Sequence, residues 1–193
     1  MNSMKFGKKR GQIAVFVIVG IVLIIIIGVF FLLRNNLSKE KGIDSQADSI
    51  SSFVESCIEQ TSNDAILHIS KRGGYFIAPK GSIHNKIPYY YNKEKNLMPL
   101  KERIEDELSL YMDNMLFFCI KNFVDFPDFD VRHGEVESDV KIYDEKIVFE
   151  IKYPLSFSKG ENSYVFEDFD FEVDVKLGMI YNVIEQIINE QKK

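Results

Sequence analysis

The chain has 193 residues, 46% of them apolar, with 24 basic and 29 acidic side chains, two cysteines and no tryptophan. Five of the basic residues and none of the acidic ones precede Asn36, so residues 36–193 carry 19 basic against 29 acidic side chains, a net charge of −10. That balance disfavours a nucleic-acid partner, because phosphate binding requires clustered Lys and Arg, and it disfavours contact with anionic headgroups.

Residues Ile13 to Leu33 read IAVFVIVGIVLIIIIGVFFLL, with no charge and no proline. At about 1.5 Å per residue, a helix of this length spans the ~30 Å hydrocarbon layer of a bilayer. Lys5, Lys8, Lys9 and Arg10 precede the run, whereas Arg34, Lys39 and Lys41 after it are diluted by Glu40, Asp44 and Asp48. This bias places the N-terminus in the cytoplasm and the C-terminal part outside. A cleaved secretory signal would have an apolar core of ~7–15 residues and then a small-residue site; this core is longer, and Arg34-Asn35-Asn36-Leu37 offers no such site. The expected layout is a cytoplasmic basic tail (1–11), a transmembrane helix (12–34), a polar stalk or helix break around Gly42 (35–48) and an extracytoplasmic domain (49–193). The sequon Asn36-Leu37-Ser38 would lie against the bilayer and is read as chance.

From Ala47 a helical pattern begins. Ile50, Phe53, Val54, Cys57, Ile58, Ala65, Ile66 and Ile69 recur mostly at steps of three and four, and Arg72-Gly73-Gly74 ends the helix. Tyr75 to Pro99 contains Pro79, Gly81 and Pro88, so no long helix fits, and Ile87-Pro88-Tyr89-Tyr90-Tyr91 makes an edge strand at best. A second helix starts at Leu100 with an apolar stripe of Ile104, Leu108, Tyr111, Met115, Phe118, Cys119 and Phe123, and Pro127 stops it. The period then changes to two. Val136, Val140 and Ile142 predict one strand, Ile147, Phe149, Ile151 and Tyr153 a second, and Phe169, Phe171, Val173, Val175 and Leu177 a third, with turns at Asp144-Glu145 and Lys159–Asn162. Gly178 opens a last helix whose Ile180, Val183, Ile184, Ile187 and Ile188 share a face. The fold class is α+β: an N-terminal transmembrane helix, then helices packed on a small antiparallel β-meander.

Four groups of residues invite a chemical reading. Cys57 and Cys119 lie outside the reducing cytoplasm and on apolar helix faces; they are within bridging reach if the helices pack together, or else remain two buried thiols. Asp168, Asp170, Glu172 and Asp174 line one face of a strand at ~6.7 Å spacing, a straight row that does not converge as a calcium site must, so it reads as a solvated face. Tyr75, Tyr89, Tyr90 and Tyr91 sit on a long irregular connection, where aromatics serve either as recognition anchors or as pins onto the core. His68, His84 and His133 fall in three different segments, and neither Asp64–His68 nor His133–Glu135 forms a recognised ligand motif. No metal site and no cofactor is expected.

The string Lys8-Lys9-Arg10-Gly11-Gln12, directly ahead of the apolar run, resembles the class III signal of archaeal type IV pilin-like proteins. The resemblance implies cleavage between Gly11 and Gln12 and packing of the apolar helix into a filament core. Such subunits usually carry Glu at the fifth mature position; this chain has Phe16 there. The sequence therefore predicts a single-pass cell-membrane protein whose exported domain is structural or binds another macromolecule, without enzymatic activity. Its partners would be the bilayer and either an unknown protein or further copies of itself. A processed pilin-like filament subunit is the alternative, and a surface hydrolase a more distant one.

Overall fold

The computed structural model describes the backbone of residues 10–191 and the side chains of residues 20–24, 27 and 47–191. In chain order the elements are α1 (Arg10–Lys71), a small hairpin of β1 (Tyr91–Asn92) and β2 (Lys95–Asn96), α2 (Lys101–Ile120), β3 (Asp130–His133), β4 (Glu137–Ile142), β5 (Lys146–Lys159), β6 (Asn162–Asp174) and α3 (Leu177–Glu190). The chain divides into two units, Met1–Asp48 and Ser49–Lys193. In the first, Ile21 to Ile24 and Ile27 are exposed. The basic tail, the side chains at the Gly11–Gln12 step and most of those in the apolar run lie outside the described residues. Among the described residues no helix is long and apolar enough to cross a membrane. The break expected at residues 38–46 is absent, since α1 runs through it. Lys and Glu are good helix formers, and one Gly costs only ~1 kcal/mol against Ala.

The second unit is a mixed α+β domain organised around β5, the strand that pairs along both edges. On one edge β6 runs antiparallel over its full length, from Lys146↔Asp174 to Lys159↔Asn162. On the other, β4 takes the first half, from Ile142↔Ile147 to Glu137↔Lys152, and β3 takes residues Leu155 to Ser158. The meander thus has a fourth strand, β3, which sequence alternation misses because only Val131 among its four residues is apolar. Pro154 lies inside β5 where the register shifts, between Lys152 and Leu155. Its missing N–H is tolerated at such a point, and its carbonyl accepts from Gly134 N–H at 2.8 Å.

Alternation puts Ile147, Phe149, Ile151, Tyr153, Leu155 and Phe157 of β5 on one face, all buried under the helices. Ile50, Val54, Ile58, Ala65 and Ile69 bury the inner stripe of α1, and Cys57 is bridged to Cys119 on α2 with Cα atoms 5.6 Å apart. The opposite face of the sheet is open, with Asp168, Asp170, Glu172 and Asp174 exposed. Phe171 and Val173 are half-buried rather than core, because β6 is an edge strand.

Two helices depart from the sequence reading. On α2 the buried stripe is Ile104, Leu108, Met112, Leu116 and Ile120, with Tyr111 beside it; Leu100 and Phe118 are exposed and Met115 is half-buried. The buried residues follow one four-step row of the helix surface, which packs as a single ridge against its neighbours, whereas the expected stripe crossed between rows at Tyr111. α2 also ends at Ile120, well before Pro127. Lys121, Asn122 and Phe123 all take left-handed φ values, which swings Phe123 into the core against Phe157 at 5.3 Å between ring centroids. On α3, Tyr181 and Ile188 are buried and Ile184 half-buried, while Ile180, Val183 and Ile187 are each more than half exposed. Gly178 sets that face. A Cβ there would lie 2.4 Å from the Tyr143 carbonyl oxygen, so only glycine lets the helix start against the β4–β5 turn. There Asp144 accepts from Met179 N–H through its carbonyl, and from Asn182 through its side chain at 3.2 Å.

Candidate functional site

The connection from Tyr75 to Pro99 is irregular because its prolines and glycines forbid a helix, yet it is firmly held. Its first anchor is the Phe76 peptide. The Phe76 N–H donates to Glu107 Oε2 at 2.8 Å. Its carbonyl accepts from His68 Nε2 at 3.2 Å and from Arg72 at 3.3 Å. Glu107 is buried on α2 and is also paired with Arg103. The Phe76 ring closes the arrangement, 5.2 Å from Tyr111 and 5.7 Å from His68. A buried carboxylate that accepts from a backbone N–H and a guanidinium is satisfied, and the contact outweighs the entropy of the loop it orders. Glu105 plays the same part for the sheet, accepting from Ile142 N–H at 2.8 Å.

Of the four tyrosines singled out in the sequence, three are held on the domain. Tyr75 and Tyr90 are half-buried, and burial pushes both phenols above the ordinary tyrosine value. Tyr90 and Pro88 pack on Gly73, where a Cβ would meet Pro88 at 2.8 Å. The Tyr91 hydroxyl donates to the Gln191 carbonyl at 3.2 Å, tying the β1–β2 hairpin to the C-terminal end of α3. Tyr89 alone faces solvent, in company with Ile77, Ile83, Ile87 and Leu97.

The sequence reading missed the charge of this surface. Lys80, Lys86, Lys93 and Lys95 are exposed. The ion pairs among the described residues use Arg103, Arg132, Lys141, Lys146, Lys152 and Lys159, so none of these four lysines has a carboxylate partner there. Residues 77–97 hold these four lysines against Glu94 alone, a net charge of +3 in a domain that is otherwise acidic. The signal that finds them is local charge counted per segment.

The remaining features are dispersed. His68 is committed to Phe76, His84 is exposed in a tight turn closed between Ile83 and Ile87, and His133 is exposed on β3 with Nδ1 3.1 Å from the Gly134 carbonyl. Among the described residues no group of three or more His, Cys, Asp or Glu side chains is placed to hold a metal ion. Two shallow clefts are acidic. One, of about 410 Å³, lies between α1 and β6 and is lined by Glu55, Glu59, Asp168 and Asp170. The other, of about 540 Å³, lies on the open sheet face beside Glu137, Asp139, Glu150 and Asp170. The chain matches no protein-family model, no curated protein and no solved structure.

Proposed function

We propose that this chain is a single-pass, membrane-anchored surface protein whose exported domain is non-enzymatic and works by binding another macromolecule. The observation that carries the reading is the 77–97 surface, where exposed aliphatic side chains and Tyr89 are interleaved with lysines that have no ion-pair partner among the described residues, on a connection held at the Phe76 peptide and through Tyr91. Apolar anchors presented on an ordered backbone are what a docking surface needs, because little entropy remains to be lost on binding. The anchor rests on the uncharged run Ile13–Leu33 and its basic N-terminal flank.

Protease added to intact cells is expected to remove the domain and spare the N-terminal tail; a protected domain overturns the topology. Capture from native membranes is expected to fail for Ile87→Glu and Tyr89→Ala and to survive His84→Ala and His133→Ala combined, two exposed histidines that do not hold the segment. The reverse result replaces docking with a histidine-based chemistry. The pilin-like alternative draws on Lys8–Gln12 and separates cleanly: a mature N-terminus at Gln12 supports it, and one at Met1 opposes it.

A further inference from the structure

We infer that the exposed apolar face of α3 receives segment 77–97 from a second copy of the chain, in a two-fold arrangement where each copy's segment covers the other's helix. The inference rests on the reading of that segment as a docking surface and names its partner.

Ile180, Val183 and Ile187 stand at helical spacing on α3, and each is 52–55% exposed. On an ordinary surface helix such a stripe faces the core. Here the core already takes Tyr181 and Ile188, one step round the helix, and Gly178 locks that choice. The second apolar stripe is therefore surplus to the monomer. The segment offers the matching surface through Ile77, Ile87 and Tyr89. All six side chains are 44–72% exposed, more apolar surface than isolated exposed residues leave on a monomer.

Charge selects the occupant. Between Leu177 and Glu190, α3 carries Glu185 and Glu190 and no basic residue, its lysines lying outside the helix at its ends, while segment 77–97 carries a net +3. A helix that lies on an anionic bilayer has Lys and Arg on its polar face, and α3 has the opposite. Within one copy the two elements meet where Tyr91 reaches Gln191 and where Tyr90 lies near Tyr181, on the buried side of α3, and the stripe of Ile180, Val183 and Ile187 stays open. Tyr90 and Tyr91 set the segment next to α3, and in the proposed arrangement a two-fold axis lays each segment over the other copy's helix, so that the interface closes on itself.

The test uses the full-length chain in detergent, where pairing through the apolar helix would not by itself bring these residues together. One preparation carries Ile83→Cys and the other Val183→Cys; the two are mixed and mildly oxidised, and linked peptides are identified by mass. All three introduced positions, including a Val165→Cys control on the open sheet face, are exposed, so the fold is expected to persist by circular dichroism. The expected product is an 83–183 linked heterodimer, absent from mixtures of Ile83→Cys with Val165→Cys. Its yield should drop about tenfold when Ile180→Glu and Ile187→Glu are added to the Val183→Cys chain, a loss equivalent to ~1.4 kcal/mol. Linkage no greater than in the control overturns the pairing. The wider docking reading then stands if Ile87→Glu still abolishes membrane capture, and falls with the pairing if it does not.

Discussion

β5 and the connection 75–99 are both ordered, and they achieve it by opposite means. β5 is held by burial: six inward side chains, paired edges on both sides and two covering helices. The connection has few buried side chains. It is held at a few points by polar contacts, chiefly a buried carboxylate that grips one peptide group. Burial distributes stability over many small contacts, so its loss is graded with the volume removed. A polar pin concentrates it, so its loss is local and leaves the rest of the fold intact. The second arrangement keeps aliphatic side chains at the surface without surrendering order, which is what a binding segment requires.

The sharpest way to break this contrast is at Phe149, fully buried at the centre of β5. Phe149→Ala should cost ~3–5 kcal/mol in chemical denaturation, the range for emptying a buried aromatic site. Breaking the Cys57–Cys119 bridge by Cys57→Ser with Cys119→Ser should cost ~2–4 kcal/mol, since it releases a long loop in the unfolded chain. Glu107→Ala should cost ~1–3 kcal/mol by orphaning the Phe76 N–H and Arg103. Its distinguishing sign is local: amide exchange should accelerate from Phe76 through Leu97 while β5 stays protected. Uniform acceleration would mean that the connection is part of the core after all. Phe171→Ala, opposite Phe149 but only half-buried, should cost ~1–2 kcal/mol, with Asp170→Asn within ~0.5 kcal/mol of zero. The smallest change runs the other way. Lys93 and Glu94 hold φ values of 49° and 63° in the β1–β2 turn, so Glu94→Gly should stabilise by ~0.5–1 kcal/mol, visible as a raised thermal midpoint.

How much of this was legible in the sequence follows the same division. Steps of three and four marked the Ile50–Ile69 stripe, and Gly73 and Gly74 marked its end, where the Gly74 N–H closes back on the Ile69 carbonyl. Alternation marked β4, most of β5 and the second half of β6. It hid the first half of β6, because the inward parity changes from Phe169, Phe171 and Val173 to Tyr164 and Phe166 across the register shift. The α3 face was ambiguous for another reason: its apolar residues cover more of the circumference than one neighbour can bury, and the choice between stripes is made by Gly178 against Tyr143. The tyrosine cluster was visible as composition. The contacts that hold it were not, because Glu107 lies 31 residues from Phe76 in sequence and nothing local couples them.

The disulfide has a mechanical consequence. If the first unit is fixed in a bilayer and something pulls on the second, tension enters through α1 and meets a covalent link at Cys57, only a few residues past Ser49. From there load can pass directly into α2, and the stretch between the bridged cysteines, which stand 62 positions apart, is bypassed. At ~3.3–3.6 Å per extended residue that stretch would otherwise lengthen the unfolded tether by on the order of 200 Å. The whole connection that carries Ile77, Ile87 and Tyr89 lies inside the bypassed stretch, so a partner held there would not be shed by chain extension while the bridge remains closed.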